Sequence, residues 1–227
     1  MRGTSNASLV LQLAAMWLPW KVRRPLLCKL FGYRIHSTAR IKFSLVLADH
    51  VDMMEGSLVK NLTMIKGLTT LILHPRGRIG NLNWITGMLA NDRVFFRDEP
   101  DRVSSLVVGE GASITNRHLF DCSNRITIGR FTTIGGFRSQ FLTHSIDINS
   151  NRQTSQPIEI GEYSFTGTGV IVLKGASMGA RCVLGAGSML RSPFKSEYQL
   201  LAGNPAKPVR ELDRDARYFH RTIGGVY

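Results

Sequence analysis

The sequence predicts a mainly β protein whose short strands wind into stacked coils. Three observations carry this expectation. A repeat of six residues runs unbroken through 160–189, its first position is large and mostly aliphatic, and its fifth position is always small or β-branched. Read in sixes, the run is IGEYSF, TGTGVI, VLKGAS, MGARCV and LGAGSM. The first positions are Ile160, Thr166, Val172, Met178 and Leu184, with Leu190 continuing them. The fifth are Ser164, Val170, Ala176, Cys182 and Ser188. A helical period of about 3.6 cannot generate consecutive sixes, and simple alternation would not single out two positions. A strand and a turn repeated around a prism does. The large side chain fills the interior, the small one sits where the wall turns inward, and glycine gives the corner its backbone freedom. Stacked coils then bury a continuous core that no single repeat could bury alone.

Upstream the sixes recur with slips of register. IGRFTT and IGGFRS cover 128–139, VGEGAS and ITNRHL cover 108–119, and IHSTAR, VKNLTM and IKGLTT extend the pattern through 35–40 and 59–70. The slips require insertions, placed near 91–105 and 148–157, where the sequence is polar or lacks the repeat. Insertions in such folds become loops on one face, often the binding face. The chain therefore divides into an N-terminal amphipathic helical segment (1–32), a coiled β domain (33–192) and a C-terminal cap with a helical tail (193–227).

The N-terminal stretch SLVLQLAAMWLPW (8–20) is apolar and is followed by KVRR. It is too short to span a bilayer and lacks a small-residue cleavage site, so a secretory signal is not expected. Two readings stay open: a helix packed on the main domain or a neighbouring copy, or an interfacial helix. In the second, Trp17 and Trp20 would sit at headgroup depth and Lys21, Arg23 and Arg24 on anionic lipid.

A net charge of +13 favours polyanionic partners. The basic residues are spread along the chain, and no zinc-finger, basic-zipper or RNA-recognition signature accompanies them, so nucleic acid is not the expected partner. The cysteines, Cys28, Cys122 and Cys182, are three in number and widely spaced, which fits neither a disulfide framework nor a metal site and points to a reducing, cytoplasmic compartment. No metal is expected.

The hexads, together with LLAGNPAKPVREL at 200–212, resemble the left-handed parallel β-helix acyltransferases of hexapeptide-repeat type. Among them the chain is most similar to the sugar O-acetyltransferases of polysaccharide and lipopolysaccharide biosynthesis. The resemblance covers about residues 33–212. It implies the left-handed sense of the coil, a homotrimer with active sites between subunits, and acetyl-CoA as donor. The acceptor it implies is a sugar, a glycan or a lipid-linked sugar, met in the cytoplasm or at the inner face of the membrane.

Acyl transfer to a hydroxyl needs a base for the hydroxyl proton and donors for the tetrahedral oxyanion. Neutral imidazole suits the first task near neutral pH. The segment THSID is similar to the segment carrying the catalytic histidine in galactoside and maltose acetyltransferases, which assigns His144 as base, a histidine satisfied by local Ser145 or Asp147 being the alternative. The two hexads before it and the 148–157 insertion after it place it at a coil edge. His118 stands at a fifth position, where a histidine would break the wall and face a cleft. Arg117 and His118 are therefore candidates for acceptor binding or for orienting His144, with a buried polar ladder as the alternative. Asp121, Asn124 and Asp147 are the other candidate orienting groups. His36, His50, His74 and His220 have no comparable context.

Thr168 and Ala186 are eighteen residues apart, hence stacked if three sixes make a coil. By resemblance, Gly167, Thr168, Ala186 and Gly187 would present backbone groups to the pantetheine arm, the upper amide being an oxyanion donor. Lys207 and Arg210 match basic residues that meet the CoA phosphates. Arg191, followed by Ser192, departs from the usual threonine–lysine pair and shifts that charge. Alternatives are an N-acetyltransferase for a nucleotide-linked amino sugar and a scaffold without catalysis. A serine acetyltransferase would need a longer helical segment than the residues before the repeats supply. A zinc enzyme of the γ-carbonic-anhydrase kind would need three convergent histidines.

Overall fold

A computed structural model describes residues 6–89 and 94–226. The polypeptide is a parallel β-helix of triangular section. One wall is a ladder of short parallel strands from Arg40–Ile41 through Thr133–Ile134 and Phe165–Thr166 to Val183–Leu184. The other two walls share a twelve-stranded sheet, because the long strands Leu45–Met53 and Met64–Leu73 turn a corner and pair in both.

The coil length read from the sixes is present where the repeat is unbroken. Phe165 pairs with Val183 and Ile171 with Met189, eighteen residues apart. All of the first and fifth positions of the 160–189 run are buried. Ile41, Val59, Ile79, Ile114 and Ile134 extend the interior column of the first wall, and Phe120 stacks on Phe141 at 4.5 Å in the second. Cys182 is a small buried side chain stacked on Ser164, whose hydroxyl receives its backbone N–H at 3.1 Å. In mid-helix the coils are longer, Leu119 pairing with Gln140. One extra residue falls between Ile134 and Phe141, so that Arg138, not a buried small residue, is the fifth of IGGFRS and Ser139 takes the buried place.

Several glycines are set by the stacking itself. A Cβ on Gly129 would lie 2.5 Å from the Glu162 nitrogen and 2.6 Å from the Gly161 carbonyl carbon. Both are backbone atoms locked in the ladder and cannot yield. Gly129→Ala is expected to lower stability by about 1–3 kcal/mol, measured as a drop in the urea midpoint with m unchanged.

Two excursions leave the coil. One follows Gly87 and rejoins at the strand Ser105–Val108; residues 90–93, including the start of the expected 91–105 insertion, lie outside the described residues. The second is an antiparallel hairpin of His144–Asp147 and Arg152–Ser155. It is a paired ribbon rather than an irregular loop, and it begins earlier than the 148–157 insertion expected from composition. His144 is its first residue.

The N-terminal segment is two helices, α1 (Asn6–Ala15) and α2 (Trp20–Phe31), separated at Pro19, which precedes α2 as its N-cap. They close one end of the coil, Gln12 receiving the Val46 N–H at 3.2 Å and donating to Tyr33 Oη at 3.1 Å. At the other end the helical tail expected from the sequence is reduced to one 3-10 turn, Arg217–His220. The longest element of that segment is a hairpin of Gln199–Gly203 and Ala206–Glu211, with AGNPAK at its bend. The reason is edge pairing: Leu200 and Leu201 continue the first wall beside Val183 and Leu184, and the returning strand covers them.

Candidate active site

The chemistry gathers where the second wall meets its hairpin. Asp121 ends the strand Leu119–Asp121, and Leu142 lies beside it on the next coil. The chain turns outward at Thr143, so His144 stands over the end of the strand that carries Asp121. The buried carboxylate accepts at Oδ1 from Ser123 N (3.1 Å) and Ser123 Oγ (2.6 Å). At Oδ2 it accepts from the backbone N–H groups of Thr143 (3.0 Å) and His144 (3.1 Å), from Thr143 Oγ1 (3.2 Å) and from His144 Nδ1 (2.6 Å). An ionised carboxylate only accepts, so Nδ1 carries the proton and Nε2 of the neutral ring is left as the acceptor.

The electrostatics follow from this cluster. Burial alone would raise the Asp121 carboxyl, but hydrogen bonds from His144 and Ser123 outweigh it and hold the group below the usual carboxylate range. The bond to Asp121 raises His144, against the opposing effects of burial and of the nearby Lys174 and Arg102 cations. Pairing therefore adds stability that is fully present below the ordinary histidine range near about 6.5 and fades as pH rises through the raised His144 value. The Asp121 contribution runs the other way, present above about 3.9 and lost as pH falls through the lowered carboxyl value.

The first excursion packs against the hairpin and fixes it. Phe96 meets the His144 ring edge-on, centroids 6.0 Å apart, and the Arg102 guanidinium lies 4.1 Å over the Phe96 ring. Arg102 also donates to the carbonyls of Met88 (2.7 Å), Leu89 (2.7 Å) and Ser123. Glu99 receives both the N–H and the hydroxyl of Ser155, the residue paired with His144. Arg152 pairs with Asp98 at 2.6 Å. From the next coil Lys174 donates to Thr154 Oγ1. A cavity of about 270 Å³ opens between excursion and hairpin, lined by Phe95, Arg97, Asp98, Ile146, Arg152 and Gln153 among others. Ile146 is two residues from His144, hence on the same face of the ribbon.

Of the orienting groups considered from sequence, Asp121 is the one bonded to the imidazole. Asn124 instead secures the base of the hairpin, donating from Nδ2 to Ser155 Oγ at 2.9 Å. Asp147 pairs across the ribbon with Arg152 and accepts from Asn149 N at 3.0 Å. His118 does not face a cleft. It is buried, Nδ1 receives the Ser139 N–H at 3.2 Å, and Nε2 lies 2.9 Å from Thr115 Oγ1. Burial pushes it down to about 4, so it is a neutral member of an internal polar ladder. Arg117 sits at an exposed corner with a positive φ of 59° and lines a separate depression with Asn116 and Phe137. Phe96, Glu99, Arg102 and Lys174 were not singled out from sequence. Three of them lie in an insertion without a repeat to place them, and Lys174 reads as one exposed cation within VLKGAS.

At the other end of the same wall, Thr168 and Ala186 are stacked as the eighteen-residue spacing requires. Gly187 N donates to Thr168 O at 2.9 Å, and Thr168 Oγ1 donates to Phe137 O at 2.9 Å. A Cβ on Gly167 would sit 2.7 Å from Ala186 N, whereas one on Gly187 would meet nothing within 4 Å. Thr168, Ala186 and Gly187 are exposed, and among the described residues neither the Thr168 nor the Ala186 N–H has an acceptor. Lys207 pairs with Ala202, and Arg210 with Leu200, on the exposed outer strand beside this column. Arg191 is exposed just beyond the strand Met189–Leu190. From Thr168 to Lys174, which stands beside the hairpin, the chain crosses a whole wall, about 15–20 Å at about 3.3 Å per residue. Within one chain the imidazole and the amide column are thus held apart.

No family model matches the chain. It superposes on the crystal structure of the polysialic acid O-acetyltransferase OatWY with a TM-score of 0.57 and 16% identity, covering 82% of this chain and 90% of that one. The fold is that of the hexapeptide-repeat acetyltransferases. It is also shared with AntD, an N-acyltransferase from Bacillus cereus crystallised with dTDP and coenzyme A (TM-score 0.54, 9% identity, 89% of this chain and 96% of that one). In sequence, 94 residues are 34% identical to a candidate acetyltransferase of Schizosaccharomyces pombe, 40% of this chain and 45% of the relative. The matched stretch thus spans less than half the length of that curated relative.

Proposed function

We propose that the protein is an acetyl-CoA-dependent O-acetyltransferase acting on a sugar hydroxyl in polysaccharide or glycolipid biosynthesis. The observation that carries this reading is the Asp121–His144 pair, a buried carboxylate fixing one imidazole nitrogen so that the other is a free base at a solvent-accessible corner. In the reaction His144 Nε2 takes the hydroxyl proton as the sugar oxygen attacks the thioester carbonyl. An outward-facing amide of Ala186 or Thr168 stabilises the oxyanion. Collapse forms the ester and breaks the C–S bond, and the imidazolium returns its proton to the departing thiolate.

Gly167 and Gly187 leave the corner without side chains, which suits the pantetheine arm, and Lys207, Arg210 and Arg191 offer cations for the CoA phosphates. The cavity beside Ile146 and Arg152 takes the acceptor. Because the base and the amide column of one chain are a wall apart, the working site on this reading pairs the His144 corner of one copy with the amide column of another, a heterologous contact that suits the homotrimer implied by the sequence resemblance. The reaction runs in the cytoplasm. A second reading, N-acylation of an amino sugar, is favoured by the likeness to AntD and would use the same base.

Acetyl-CoA is expected to raise the melting temperature, since a ligand bound by the native state at 100 times its Kd adds about 2.7 kcal/mol. Lys207→Glu with Arg210→Glu should shrink that shift. A wild-type melting curve unmoved by acetyl-CoA would leave a scaffold without catalysis as the better account.

A further inference from the structure

Helix α1 is amphipathic the wrong way round for a helix that packs on a protein core. The face it buries against the coil is Ser8, Gln12 and Ala15. The face it turns outward is apolar: Val10 is 65% exposed, Leu13 47% and Trp17, just beyond the helix, 80%. Leu11, Leu18 and Val22 are exposed as well, at 40%, 41% and 52%. The trade is fixed by hydrogen bonds rather than by sequence alone, because Gln12 is held inside by Val46 and Tyr33. An apolar surface of this kind rimmed by polar residues marks a site that something covers.

The charge around it says what. The first acidic residue of the sequence is Asp49, and eight Lys and Arg residues precede it. Arg23 is withdrawn from this surface, buried with its guanidinium on the carbonyls of Lys42 (2.8 Å) and Ser44 (2.7 Å) and lowered by burial to about 10. Arg24 donates to the Ile35 carbonyl, and Trp20 packs on the core, so these two residues follow the packed-helix reading and not the interfacial one. Lys21 and Lys29 are exposed, and Arg34 is in an ion pair with Asp52. A second copy of the chain is a poor cover, since each copy carries a net charge of +13 and offers these cations no complement. No helix among the described residues is long and apolar enough to cross a membrane.

We infer that α1 and the start of α2 lie on an anionic lipid surface, with Val10, Leu13, Trp17 and Leu18 entering the headgroup–acyl boundary and Lys21 and Lys29 meeting lipid phosphates. This placement does not depend on the acyl-transfer reading and can fail without it. The test is flotation of the full chain with vesicles of equimolar phosphatidylcholine and phosphatidylglycerol, against vesicles of phosphatidylcholine alone. The protein is expected to float with the anionic vesicles, to stay down with the neutral ones, and to lose binding in high salt. Leu13→Glu with Trp17→Glu should reduce the bound fraction at least tenfold at unchanged melting temperature, and Lys21→Glu with Lys29→Glu should do the same. Wild-type protein that stays down with anionic vesicles overturns the proposal. So does a Leu13→Glu, Trp17→Glu protein that floats normally, or one whose change is a smaller oligomer by light scattering instead of lost flotation.

Discussion

His144→Ala is expected to lower turnover by about 10²–10⁴-fold, the range supplied by a positioned general base, while acetyl-CoA affinity stays at its wild-type value and the fold loses only the stability that pairing with Asp121 contributes. The side chain is half-buried and its contacts are the bond to Asp121 and the edge of Phe96. Neither belongs to the stacked interior. Removing the ring therefore takes away the proton acceptor without opening the core. The loss should appear in kcat rather than KM, because the imidazole acts on the proton in flight and not on the bound ground state. Near-normal turnover in this variant would exclude His144 as the base.

Asp121→Asn is expected to cost about 10²-fold in turnover, within the same range, and to leave a signature that a structural residue would not. In the wild type His144 is protonated below its raised value, so activity should fall as pH drops through it. Without the carboxylate that raise is lost and the acid limb of the pH–rate profile should move to lower pH, even as the plateau falls. Stability should fall too. The carboxylate takes donors from Ser123, Thr143 and His144, and an amide can accept at one atom only. Each buried donor left without a partner costs about 1–3 kcal/mol. An unmoved acid limb would mean that Asp121 supports the fold and does not set the base.

The coil was legible in the sequence because interior packing imposes itself on every sixth residue. The first positions from Ile160 to Leu190 read as interior from the spacing alone, and Cys182 reads as a small wall residue. The stacking of Thr168 under Ala186 follows from the same count. What the count could not show was how polar groups are satisfied across coils. His118 breaks the small-residue rule yet stays inside because the Ser139 N–H and Thr115 hydroxyl meet its two nitrogens. Asp121 reads from sequence as one carboxylate among several; the outward turn at Thr143 brings the donors of Thr143 and His144 onto it. Glu99, Phe96 and Arg102 were beyond reach for a simpler reason. They lie where the repeat stops, and only the pairing of His144–Asp147 with Arg152–Ser155 gives the excursion a surface to pack on. The inverted face of α1 was likewise hidden, since its apolar residues read from sequence as the side that should pack.

The central claim, acetyl transfer to a hydroxyl with His144 as base, is tested most directly by following label from acetyl-CoA into a panel of glycans, nucleotide sugars and lipid-linked sugars. The account predicts label in an acceptor as an alkali-labile ester with wild-type protein and almost none with His144→Ala. Label in an alkali-stable amide, or equal transfer by the two proteins, would contradict it.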